Sequence, residues 1–334
     1  MNVTRRSALG LGAVVGATAL GVGATTPASA STPATAAQAC SKIKSVYDRE
    51  TTRAAGTWSS FITVTGEATP AVEALADQVV EAYSVNKIAV ATAVLDKIDR
   101  GLLALDQRVD VTADIVSHDG DGIFGYDGAY PSSVTLGHVL ANLLTVSDNT
   151  AVRLCGLVVP AAELNEILRA KGFVHTQVKP VANPNRFYLG TTTARETHTM
   201  LQRLVDGTLL SATSSAYVLS LLCSLTSFTD GIRLNMSSAE RVRVAAKAGW
   251  FADGRNEAGI VFDTAGKAAI TYALFASGQF SGDAAANADN YSATHPALRA
   301  RQAIGRTLLD SVPPVSAPTA RKFSVPRYHP SNGG

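Results

Sequence analysis

The spacing of apolar positions divides the chain into a mixed start, a long helical middle and a β-rich end. Over residues 40–53, Ile43, Val46 and Tyr47 fall on one side of a helix. Residues 58–65 alternate and are rich in β-formers, which predicts a strand. After a Gly/Glu/Pro break, residues 72–80 read as a short helix. The next helix, 84–99, carries the apolar run from Ile88 to Leu95 and stops before Arg100 and Gly101.

Residues 106–133 are polar and glycine-rich and predict a loop, as do the aperiodic residues 173–190. Helices are predicted over 135–145, 150–157, 160–170, 193–205 and 215–225. Three strands follow at 245–247, 257–263 and 268–276, and a helix over 297–309 closes the fold. This order predicts an α/β (α+β) domain over 40–311. Its antiparallel sheet is built from both chain ends and flanked by helices, with an all-α part at about 84–225.

Composition narrows the class. With 46% hydrophobic and 17% charged residues, 334 residues suffice for a sizeable core and exclude a disordered chain. Arg5-Arg6, an apolar Gly/Ala-rich run and Ala28-Ser29-Ala30 predict a twin-arginine-type signal peptide over 1–30, cleaved near Ala30. A second small-residue site, Ala34-Thr35-Ala36, leaves the cut open. Residues 31–39 read as a flexible leader and 312–334 as a proline-rich tail. Loss of Arg5 and Arg6 leaves 27 basic against 27 acidic residues, which argues against nucleic-acid or acidic-lipid partners. No later stretch is long and apolar enough to span a bilayer, so a secreted monomer without a stable membrane anchor is expected.

Cys40, Cys155 and Cys223 permit one disulfide at most, and the latter two read as buried small residues. Six scattered histidines show no metal-ligand spacing, so no metal or other cofactor is expected. The glycines from Gly120 to Gly128 lack a following Lys-Ser/Thr and form no phosphate loop.

Candidate chemistry centres on Ser84 and Lys87, three apart and therefore on one helix face. A serine hydroxyl becomes a nucleophile when a base takes its proton. A lysine serves as that base when burial or a neighbouring cation lowers its pKa. Ser147-Asp148-Asn149 lies 63 residues after Ser84, and Lys247-Ala248-Gly249 another 100 on, at a strand end. Tyr126 and Trp250 are candidates to line a pocket, with plain packing the equal alternative.

Ser-x-x-Lys, Ser-Asp-Asn and a Lys-x-Gly in this order resemble the penicillin-recognising serine enzymes, the class A β-lactamases most closely, over about residues 40–311. The resemblance implies a serine β-lactamase/DD-peptidase-like fold. It implies Ser84 as nucleophile, Lys87 as base, Ser147 as proton carrier to the leaving group, and Lys247 as a cation beside Lys87. Asn149 would orient Lys87 and hold a substrate amide. Gly249 would admit the substrate backbone, and the N–H groups of Ser84 and Trp250 would form the oxyanion hole. Arg233, 14 residues before Lys247, matches a carboxylate-binding arginine of some members, with a surface helix-end charge the alternative.

Two departures change the expectation. Ala248 stands where the family has Thr or Ser, removing a hydroxyl from substrate carboxylate binding. The family's Glu-x-x-Leu-Asn loop motif is also missing: residues 172–191 hold no Asp or Glu, and Asn183 and Asn185 cannot act as bases. The loop is shorter, which predicts an opened pocket floor. Glu163, Asn165 and Glu166 are expected on the solvated face of the preceding helix. The leading expectation is a secreted serine hydrolase forming an acyl-enzyme on Ser84 with an amide or ester, β-lactam or D-alanyl peptide-like. The alternative is a non-hydrolytic β-lactam-binding or covalent-trapping protein.

Overall fold

The computed structural model describes residues 35–228 and 230–312; the predicted signal peptide and nearly all of the predicted tail lie outside these residues. Helix α1, Ala36–Ala54, begins inside the expected flexible leader. Thr35 and Gln38 form a reciprocal capping box that satisfies its first amides, a signal hidden by the Ser/Thr/Ala/Pro composition. The strands β1 (Ala55–Val64) and β2 (Val72–Ala74) follow, then β3 (Val80–Glu81).

The predicted helix over 72–80 does not form. Val72 pairs with Ile62 in the sheet, and Leu75 and Val79 are exposed, so tertiary pairing overrides a helical spacing that has no core to face. Helix α2, Lys87–Asp99, is buried from Lys87 through Leu95 and threads the centre of the domain.

Strands β4 (Arg108–Val111) and β5 (Ser132–Thr135) pair within the region expected to be a loop. Helices α3 (Leu136–Thr145), α4 (Asn149–Val158) and α5 (Ala161–Ala170) follow their predicted spans closely. The second expected loop contains another hairpin, β6 (Gln177–Pro180) and β7 (Phe187–Thr192), joined in one small sheet with β3. The helical part thus carries short strands whose few residues show no readable period. Helix α6 spans Ala194–Val205 and α7 spans Ala212–Leu222, starting earlier than predicted because Ser211 caps it. The short α8, Ser238–Arg241, precedes the strands β8 (Val244–Phe251), β9 (Gly254–Phe262) and β10 (Ala268–Phe280). The chain then forms α9 (Ala284–Ala288) and α10 (Pro296–Asp310).

The main sheet is antiparallel, in the order β2-β1-β10-β9-β8, so strands from the two ends of the domain meet at β1 and β10. Alternate side chains feed two cores. Ile62 and Leu274 pack with Ile43 and Ile304 from α1 and α10, while Phe61 and Ala273 join Val94, Leu140 and Leu201 on the helical side. Each fully buried aliphatic side chain stabilises the fold by roughly 1.5–3 kcal/mol. Strand β8 lies at the sheet edge, and that edge carries the site.

Candidate active site

Ser84 sits on a 3₁₀ turn, Tyr83–Asn86, that runs directly into α2. This tight turn stacks positions three apart, so Ser84 and Lys87 share a side as the spacing predicts. Tyr83 has a φ of 49°, a left-handed conformation that costs energy in a non-glycine residue. Contacts on both sides hold it there. Below, Ala82 N–H donates to Gly190 O at 2.9 Å, and the Asn86 amide donates to Leu189 O at 2.5 Å and Thr191 O at 2.9 Å. Strand β7 therefore lies under the turn, where the short loop was expected to leave an open floor. Above, a Cβ on Gly249 would fall 2.6 Å from Ser84 N and 2.8 Å from Val85 N, so only glycine permits this approach of β8.

Lys87 is fully buried and donates to Asn149 Oδ1 at 2.9 Å, to Ser147 Oγ at 3.1 Å and to the Ser147 carbonyl. Lys247, also buried, donates to Ser147 Oγ at 3.0 Å and to Ala248 O at 2.8 Å. Ser147 Oγ therefore joins two lysines, and its own proton is free to point elsewhere. Burial, then the Lys247 charge, holds Lys87 well below the ordinary lysine range. Burial also lowers Lys247, to about 8, against the pull of Asp121, Asp230 and Glu257. Ser84 is half-buried, and its hydroxyl makes no hydrogen bond among the described residues.

The Ser147 turn is itself constrained. Ser147 has a φ of 55°. Asp148 caps α4 through Ala151 N–H and accepts from the amides of Ile123 (2.6 Å) and Phe124 (2.9 Å), which ties the glycine-rich loop to the turn.

The remaining candidates divide. Trp250 follows Gly249 on β8, half-buried, its ring edge-on to Phe228 at 5.3 Å. Tyr126 is 86% exposed and stands in solvent at the loop rather than walling a pocket. Arg233 is no surface charge. It is fully buried, its guanidinium on the carbonyls of Leu222 and Ser224, and burial lowers its pKa. Ala248 is buried and pairs across the sheet with Glu257. Glu257 is linked to Arg301 at 3.2 Å, and Arg301 also to Asp230 at 3.1 Å.

Of the three polar residues expected on the solvated face of α5, only Glu166 is exposed. Glu163 pairs with Lys97 at 2.8 Å. Asn165 is buried and bonds both the N–H and the C=O of Val178, pinning β6. The acid-free loop borrows a carboxylate from outside: Glu196 on α6 accepts from the amides of Val174, His175 and Thr176. All three cysteines are free, with Cys155 and Cys223 buried. No group of three or more metal-ligating side chains gathers among the described residues, and no helix among them is long and apolar enough to cross a membrane.

One residue was missed in the sequence. Asp121 lies between Gly120 and Gly122, and its carbonyl accepts from Asn149 N–H at 3.0 Å. A Cβ on Gly120 would fall 2.6 Å from Asn149 Nδ2, and one on Gly122 2.1 Å from Asp148 Oδ2. The two glycines let the loop clamp the Ser147 turn, and Asp121 lies in the field of Lys87 and Lys247.

A serine-bearing 3₁₀ turn, two buried lysines and a bridging serine lie at the edge of a five-stranded antiparallel sheet, a geometry suited to serine acyl transfer. The model of the Beta-lactamase enzyme family matches residues 39–312, and the chain belongs to that family. No curated protein matches it significantly in sequence. Among solved structures it is similar to a β-lactamase from Sphaerobacter thermophilus, with 20% identity and a TM-score of 0.66 over 81% of this chain and 96% of that one. A β-lactamase from Xanthomonas campestris gives 19% identity and a TM-score of 0.67, over 82% and 98%. A mutant of PBP-A, solved as its acyl-enzyme complex with penicillin G, gives 18% and 0.59, over 80% and 96%. These likenesses establish the serine β-lactamase-type fold.

Proposed function

We propose that this chain is an exported serine hydrolase that forms an acyl-enzyme on Ser84 with an amide or ester of β-lactam or D-alanyl peptide type. The observation that carries the reading is Ser147 Oγ held between the buried Lys87 and Lys247 beside the Ser84 turn. Lys87, its pKa lowered by burial and the Lys247 charge, takes the Ser84 proton in its neutral form as Oγ attacks the carbonyl. The Ser84 and Trp250 amides stabilise the oxyanion, and Ser147 passes a proton to the departing nitrogen or oxygen. With no acid in residues 172–191, Lys87 is assigned to deacylation as well. The same acid-free loop favours a second reading, a protein that traps the acyl group without releasing it.

The deciding experiment mixes the protein with a penicillin and a cephalosporin and follows intact mass over time. Ser84→Ala abolishes every adduct and all turnover if the reading holds. Activity surviving that change would remove Ser84 from the mechanism. An adduct that persists for hours selects the trap; one that disappears as free antibiotic is hydrolysed selects the hydrolase. Export is checked by sequencing the N-terminus of protein recovered outside cells, with Arg5→Lys/Arg6→Lys expected to retain it inside.

A further inference from the structure

The cations around the proposed acyl site are buried and already bonded within the protein, which leaves little for an anionic group to meet. Ala248 offers no hydroxyl to a substrate carboxylate. Arg233 is closed off from solvent on the carbonyls of Leu222 and Ser224. Lys247 is 2% exposed, with Ser147 Oγ and Ala248 O already bonded to it. Across the site, Asp121 is half-buried, and its carboxylate makes no hydrogen bond or ion pair among the described residues. Its backbone is fixed: the Asn149 amide bonds its carbonyl, and two glycines pack its loop against Asn149 and Asp148. Asn149 Oδ1 is bonded to Lys87 at 2.9 Å. Asp121 is thus held beside a residue that touches the catalytic lysine.

Resting on the acyl-enzyme reading above, we propose that Asp121 is a specificity residue that receives an ammonium group on the acyl part of the substrate. The preferred acyl donors are then amine-bearing amides or esters, and a second carboxylate on the acyl part is disfavoured. The charged groups acting on Asp121 are the cations Lys87 and Lys247 and the carboxylates Asp148 and Asp230. A carboxylate in that setting is also a counter-charge to the lysines. That role would affect every substrate alike and shift the pH profile of acylation for all of them.

Three penicillins differing at one side-chain carbon separate these roles: ampicillin carries an ammonium there, benzylpenicillin a hydrogen and carbenicillin a carboxylate. The rate of Ser84 acylation, followed by intact mass, is expected to fall in that order. A charge-assisted contact predicts about tenfold to a hundredfold between ampicillin and benzylpenicillin. In Asp121→Asn the rates for ampicillin and benzylpenicillin should converge, while loss of the carboxylate's pull on Lys87 and Lys247 moves the pH profiles of both substrates alike. Equal rates in the native protein, an order that survives Asp121→Asn, or no adduct with ampicillin would overturn the proposal. The acyl-enzyme reading falls separately, if the p-nitrophenyl acetate burst persists in Ser84→Ala.

Discussion

Two buried charged clusters lie on either side of β8 and β9, and they are built on opposite terms. Behind the strands, Arg301 is surrounded by carboxylates, with Glu257 and Asp230 both in ion-pair range and Tyr272 Oη donating to Glu257 Oε1 at 3.4 Å. On the cleft side, Lys87 and Lys247 share only neutral acceptors: a hydroxyl, an amide oxygen and carbonyls. A buried cation with its own carboxylates stays charged and ties elements together. A buried cation given only neutral partners loses its proton more easily and becomes a base. The same fold uses one arrangement to join α10 to the sheet and the other to hold two lysines that give up a proton more easily.

Removing a member from each cluster should therefore break different properties. The largest effect is expected from Lys87→Met, which removes the base: acylation measured by intact mass falls by about 10²–10⁴-fold, with little loss of melting temperature. Arg301→Met should do the reverse. It leaves Glu257 and Asp230 without their cation and costs about 3–5 kcal/mol of stability in denaturant melts, while Ser84 in the surviving folded protein still acylates. A large loss of acylation with no loss of stability would mean that the rear cluster serves the chemistry.

Ala248→Thr sharpens the contrast from the strand between them. It restores a hydroxyl and should raise apparent affinity for benzylpenicillin by about tenfold to a hundredfold, the worth of one charge-assisted hydrogen bond. No gain would show that Glu257, opposite, captures the new hydroxyl. The smallest effect concerns pH. Lys87 acts as a base when neutral, so acylation rises with pH through its lowered pKa and then levels. Lys247→Gln removes the neighbouring positive charge that helps to lower that pKa. The Lys87 pKa then increases, and the rise in rate moves to higher pH. An unmoved profile would mean that burial alone sets the Lys87 pKa.

The front cluster was legible in the sequence because its members come from three short motifs in fixed order, and Ser84 with Lys87 needs only a helical spacing. Thr135 and Thr193, read as helix starts, are the caps of α3 and α6. The rear cluster was not legible. Next to it, Arg233 read as a surface or ligand-binding charge because nothing local indicates that its 3₁₀ turn, Gly231–Arg233, packs against Gly305 of α10. The short strands β2 to β7 were missed because two to six residues carry too little alternation, and their pairing is decided by distant partners. Asp121 was missed for a related reason: a polar glycine-rich loop looks solvated until its glycines are seen pressed against Asn149 and Asp148.

The close approach at Gly249 puts two different constraints on neighbouring positions of the chain. Position 249 is constrained by an atom that must be absent, since any side chain would push the edge strand off the nucleophile's backbone. Position 248 is free to carry a methyl or a hydroxyl without disturbing that contact. A substitution at 248 is therefore expected to change the chemistry of that side chain while the backbone contact at 249 stays in place.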